Sequence, residues 1–162
     1  MKVRKVANEK VIAYDFYSDI TKSPLVIQLC EECSLTEIFI EVYTLEKNKT
    51  NISEILLQMN CNMVFIPYKS GYQDIAIKTD RFHLPKLLEV LSICRFEEMT
   101  VWSCNESWEQ HLFFKSARKN IAVEEKSNLY LCYNLAEKSV ELYLNPQYDT
   151  DKIEQLIKEH AK

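Results

Sequence analysis

Glycine is almost missing from this chain: Gly71 stands alone among 162 residues, where ordinary usage of ~7% would give about eleven. Glycine supplies positive φ and lets backbone come close to a ligand. Phosphate cradles of the GxGxxG and GxxxxGK[ST] kinds need several glycines, so both are excluded, as is the GxSxG nucleophile elbow. Turns must then rest on Asn, Asp, Ser and Pro, as around residues 48–51 and 145–149. Basic charge is also short. Twenty-four acidic against twenty basic side chains leave a net charge of −4, which argues against a nucleic-acid partner, because phosphate neutralisation drives that binding. Apolar runs such as residues 63–66 fall far below the roughly 20 residues that a membrane-spanning helix needs. Residues 1–10, MKVRKVANEK, lack the apolar core of a signal peptide. The expected location is therefore cytoplasmic, with the six cysteines as reduced thiols. The sequons at Asn48, Asn51 and Asn105 then read as turn and helix-capping chemistry.

Large side chains are plentiful. A hydrophobic fraction of 47% and an aromatic fraction of 11% suffice for one core, and no Pro-, Gly- or Ser-rich linker divides residues 1–162. Period-two and helical spacing predict strands at residues 11–17, 37–43, 61–67, 74–79, 98–104, 128–134 and 139–145. Helices are expected from Ser23-Pro24, from Asn51 (capping with Glu54), from Pro85, across residues 107–119, and across 149–160. The fold class is α+β (or α/β): a single domain with a mixed β-sheet and about five helices packed on it. Helix, strand and helix follow in the same order from Pro24 and from Pro85, suggesting a βαβα pseudo-repeat with halves 11–67 and 73–134 and a terminal strand–helix 138–160. The alternative is that any alternating fold matches itself this well.

The conspicuous motif is Cys30-Glu-Glu-Cys33. A redox CxxC needs a helix N-terminus, where the dipole lowers the thiol pKa. Here the pair sits at a predicted helix C-terminus between Glu31 and Glu32, so core cysteine is the preferred reading. A metal site would need a second pair, and Cys61, Cys94, Cys104 and Cys132 are scattered singly, leaving only a composite zinc site as the alternative. His83, His111 and His160 match no ligand pattern. No catalytic residue, metal ligand or cofactor is assigned.

Charge is distributed unevenly. Residues 15–46 carry seven acids and only Lys22, which makes a negative patch if the side chains share a face. On the predicted strand 37–43, Glu37, Phe39, Glu41 and Tyr43 fall together on the face opposite Ile38, Ile40 and Val42, with Glu31 and Glu32 nearby. Aromatics supply contact area, and acids steer a basic partner. Tyr130 and Tyr143 extend that surface if their strands pair. The competing reading is that helices cover this face and leave the acids at its rim. The leading expectation is a protein–protein interaction module, of the physical type of an immunity-like inhibitor that covers a basic toxin. The alternative is a small-molecule sensor domain with an apolar pocket lined by tyrosines and Trp102, and a small enzyme follows behind.

Overall fold

Strand formation in this chain follows its β-branched and aromatic runs, and the sheet they build is wholly antiparallel. The computed structural model describes residues 4–7, 11–67, 71–104 and 127–161. Its strands are β1 (Arg4–Ala7), β2 (Ile12–Tyr17), β3 (Glu37–Leu45), β4 (Asn62–Pro67), β5 (Tyr72–Asp80), β6 (Glu98–Cys104), β7 (Ser127–Asn134) and β8 (Ser139–Leu144). The helices are α1 (Leu25–Glu32), α2 (Glu46–Gln58), α3 (Leu84–Leu91) and α4 (Thr150–His160). All eight strands join one sheet in the order β1-β2-β8-β7-β6-β3-β5-β4. Every neighbouring pair is antiparallel, so the expected mixed sheet is corrected. Four helices are present among the described residues, not five; the helix expected at 107–119 lies outside those residues, as does His111. None of the described helices is long and apolar enough to cross a membrane.

The helices share one face of the sheet. Buried residues of all four join Ile12, Tyr14 and Phe16 of β2, Ile38, Ile40 and Val42 of β3, and the matching positions of β5, β6, β7 and β8 in one core, with Met63 and Phe65 of β4 packed against it. On α1, Leu25, Val26, Leu29 and Cys30 are the buried side, and Cys33 just past its end is buried too. The helix starts one residue later than expected, with Pro24 and not Ser23 at its N-cap; Ser23 Oγ still accepts from the Leu25 amide at 3.2 Å. Asp149 accepts from the Asp151 and Lys152 amides at the start of α4. The box expected at Asn51 does not start α2. That helix begins at Glu46 directly after β3, with Glu46 in its first turn where the helix dipole favours a carboxylate.

Strand order divides the sheet into two similar blocks. One is contiguous, β3-α2-β4-β5-α3-β6, with spatial order β4-β5-β3-β6, the split βαβ layout. The other is interleaved: β2 and α1 precede the first block, β7, β8 and α4 follow it, and β1 closes the outer edge. Its order, β7-β8-β2-β1, repeats the first block role for role. The pairing of β6 with β7 fuses the two. A duplication with halves 11–67 and 73–134 is not established by this arrangement, which relates the elements differently.

Among the described residues, three other than glycine take up the left-handed backbone: Ser34 at φ 53°, Asn60 at φ 54° and Lys138 at φ 54°. Ser34 and Asn60 end α1 and α2 in the same way. The Ser34 amide donates to the Glu31 carbonyl and the Leu35 amide to Cys30, while Asn60 donates to Leu57 and Cys61 to Leu56. This is the Schellman pattern, whose left-handed position is usually glycine. A β-carbon there costs about 1 kcal/mol, less for asparagine. Ser34→Gly is therefore expected to raise stability by about 1 kcal/mol and Asn60→Gly by a few tenths, read as shifts in the urea midpoint. Lys138→Gly is expected to gain nothing, because Lys138 Nζ also pairs with Asp19 at 3.0 Å.

Candidate functional site

The face of the sheet opposite the helices carries three ordered rows. Cross-strand register aligns Tyr143 of β8 with Tyr130 of β7, Trp102 of β6 and Phe39 of β3, giving four rings across four adjacent strands. Phe39 stacks on Trp102 with centroids 4.3 Å apart and planes inclined by 26°. Tyr130 meets Tyr143 edge-on at 6.0 Å. The neighbouring row runs Asp15, Glu141, Cys132, Thr100 and Glu41 from β2 to β3. A third row brings Tyr17, Ser139, Asn134, Glu98, Tyr43 and Asp74 into line.

Burial grades along these rows. Phe39, Trp102 and Ala76 are fully buried and form a small core of their own, with Tyr130 packed against it. Glu41 and Asp74 are buried as well. Toward β2 and β8 the face opens: Tyr130, Tyr143, Asp15 and Cys132 are half-buried, Glu141 is exposed, and Tyr17 is 56% exposed. No described helix packs over this side. The Tyr143 hydroxyl donates to Glu141 Oε2 at 3.3 Å.

The residues expected to form the partner surface are therefore separated. Phe39 and Glu41 are interior, and Tyr43 is half-buried against Tyr72 in a stack 4.9 Å apart. Glu37 is exposed at the strand's end and pairs with Lys78 at 2.7 Å. Glu31 and Glu32 sit on α1, across the sheet, where Glu32 pairs with Lys152 of α4 at 3.2 Å. The acidic stretch 15–46 is accordingly split between both faces and does not make one patch. The pairing of Tyr130 with Tyr143 is found. Sequence reasoning missed Asp15, Tyr17 and Glu141 as members of this face, because their placement depends on β2 pairing with β8, more than 120 residues away.

The electrostatics of the face are acidic. Burial first, and then the neighbouring Glu98 and Glu141 carboxylates, push the Cys132 thiol up to about 12. Asp15 and Glu141 stand directly opposite each other. Arg4 of β1 is in register with Asp15 on its other side. Cys30 and Cys33 are equally poor nucleophiles, and burial also raises the Cys61 and Cys94 thiols. Burial first, with added charge from Cys33 and Glu31, pushes Cys30 up to about 12; burial and Glu32 do the same for Cys33. No group of three or more His, Cys, Asp or Glu side chains gathers at metal distance among the described residues. His160 Nε2 lies 2.7 Å from Gln28 Oε1, tying α4 to α1. The His83 ring is held by Asp80 at 2.9 Å.

No family model matches the chain, and no curated protein matches it. Among solved structures it is loosely similar to a putative C-terminal regulatory domain of an aspartate kinase from Porphyromonas gingivalis (TM-score 0.29, 10% identity, covering 95% of this chain and 99% of that one). It is also similar to Escherichia coli aspartokinase III in complex with lysine and aspartate (TM-score 0.27, 13% identity, 78% of this chain and 32% of that one). A Bacteroides thetaiotaomicron protein gives TM-score 0.26 and 15% identity over 76% of this chain and 86% of its own.

Proposed function

We propose that this chain is a protein–protein interaction module that docks a basic partner on the open half of its helix-free sheet face, an immunity-type inhibitor being the specific form of that reading. The supporting observation is the row of Tyr130 and Tyr143 beside Glu141 and Asp15, half-exposed on β7, β8 and β2. Tyrosines give rigid contact area at little entropic cost. A cationic side chain laid beside Glu141 gains an ion pair, and the charge complementarity steers its approach. The anchor residues are thus Tyr130, Tyr143 and Glu141, replacing Phe39 and Glu41.

Titration of a lysine- and arginine-rich dodecapeptide against the full chain, followed by fluorescence anisotropy, tests this. Glu141→Lys is expected to weaken binding about tenfold and to flatten its salt dependence. Tyr143→Ala is expected to weaken it without changing the salt slope. Glu159→Lys on the outer side of α4 makes the same change in net charge and is expected to leave binding unaltered. Equal losses in Glu141→Lys and Glu159→Lys mean that net charge alone acts, and the reading fails.

A further inference from the structure

The helix α2 begins without the side-chain acceptor that a helix start ordinarily has. Its N-cap is Leu45, and no side chain caps it, although Ser, Thr, Asp and Asn are the residues that satisfy the first amides of a helix. The Thr44 hydroxyl, next to that position, is engaged elsewhere. It donates to the Arg95 carbonyl at 2.9 Å and lies 3.5 Å from the Asn48 side-chain amide. The Glu46 amide is taken by the Gly71 carbonyl at 2.8 Å. The next amides, of Lys47 and Asn48, stand at the positive end of a helix of 13 residues.

A further donor lies beneath the same turn. The register of β3 with β5 sets Gln73 directly opposite Thr44. Alternation puts both on the face of Val42, Ile75 and Ile77, the helix side. The Gln73 side chain is thus the neighbour of Thr44, and Thr44 is what Asn48 of the first turn touches. Gln73 is only 4% exposed, and its Nε2, shut from solvent, has no hydrogen-bond partner. A buried amide without an acceptor destabilises a fold, and native structures keep few of them.

Two independent sets of N–H donors meet at this turn, and both call for an acceptor. We propose that the start of α2 binds a small oxyanion, a carboxylate or a phosphate, one oxygen accepting from the Lys47 and Asn48 amides and another from Gln73 Nε2. Charges of both signs stand nearby. Lys47 and Arg95, whose carbonyl is fixed by Thr44, have exposed side chains, and so does Glu46 in the first turn. Binding therefore draws on directed donors and the helix dipole, and not on a basic patch. Because its donors come from α2 and from β5, the ligand stabilises the contiguous block by mass action.

The test is a two-dimensional amide NMR titration of the full chain with sodium phosphate and, separately, sodium acetate, with sodium chloride at matched ionic strength as the control. Saturable shifts are expected at the Lys47 and Asn48 amides and the Gln73 side-chain amide. They come from phosphate if the site takes a tetrahedral anion and from acetate if it takes a planar one, while chloride gives none. Gln73→Met keeps the length of the side chain and removes its amide. It is expected to raise the urea midpoint of the free protein, because a buried unpaired donor is gone, and to weaken the oxyanion response about tenfold. Glu46→Gln removes an exposed negative charge from the first turn and is expected to tighten the response about threefold. No saturable response to either oxyanion, an equal response to chloride, or an unchanged affinity in Gln73→Met each overturn the proposal. The tyrosine face lies across the sheet and answers to a different probe, so the two readings fail independently.

Discussion

Trp102→Ala is expected to cost about 3–5 kcal/mol, a third or more of the stability of an ordinary domain. The indole is fully buried in a cluster of only three residues, Phe39, Ala76 and Trp102, with Tyr130 against it. Removing the indole takes away half of the Phe39 stack at 4.3 Å. It also opens a cavity on the one side of the sheet where no described helix stands ready to relax into it. A stacked aromatic pair adds about 0.5–1.5 kcal/mol beyond the area it buries. Trp102→Phe preserves the stack and is expected to cost roughly half as much. Urea unfolding followed by far-ultraviolet circular dichroism measures both. A loss below about 1 kcal/mol for Trp102→Ala would show that this face is not a second core.

Asp19→Asn is expected to cost about 2 kcal/mol at neutral pH, and the cost should vanish in acid. Asp19 lies in the connection between β2 and α1 and gathers donors from distant parts of the chain. Lys138 Nζ donates at 3.0 Å, Thr21 Oγ1 at 2.9 Å and the Tyr133 hydroxyl at 3.4 Å. Burial alone raises its pKa, but the Lys138 and Thr21 hydrogen bonds outweigh it and hold the carboxyl below the usual carboxylate value. Tyr133 answers in kind: burial first, then the Asp19 charge, pushes its phenol up to about 12. The folded carboxyl is thus the stronger acid. Its contribution is fully present above the unfolded value of about 3.9 and is lost as pH falls through the lower folded one. Urea midpoints of wild type and Asp19→Asn should therefore differ at pH 7 and converge toward pH 3. A difference that persists unchanged at pH 3 would assign the loss to packing and not to charge.

Most of the elements were legible in the sequence, because each announces itself locally. Alternation over residues 37–43 gives β3, spacing of Leu84, Leu87, Leu88 and Leu91 gives α3, and Asp149 marks the start of α4. What alternation does not encode is which strand pairs with which. The antiparallel order, with β2 beside β8, depends on contacts between chain ends and is invisible to a local window. The strand β1 has no such local signal: Arg4-Lys5-Val6-Ala7 is four residues with two charges, and it is a strand because it pairs with β2. The candidate site was half legible. The period-two reading put Phe39, Glu41 and Tyr43 on one face, and Tyr130 and Tyr143 do extend it. Burial of Phe39 and Glu41 was out of reach, since a strand's polar-looking face is exposed or buried according to its neighbours and not its own residues. The donors at the start of α2 had no signal at all. The box at Asn51 marks a different start, and the place of Gln73 beneath that turn follows from the pairing of β3 with β5.

The interleaving of the two blocks sets an order of events as the chain is made. Every partner of β3, β4 and β5 lies within residues 37–104, so that block is able to close as soon as those residues have been synthesised. The strand before it cannot. Ile12 waits for Leu144, and Tyr17 for Ser139, so β2 and α1 emerge first and are secured last. Pairings of such long separation are slow and leave apolar strands uncovered meanwhile. A truncated product ending near residue 104 therefore contains one finished half and one exposed strand–helix pair. The same geometry ties β1 to α4, where Lys5 Nζ donates to Glu154 Oε1 at 2.6 Å.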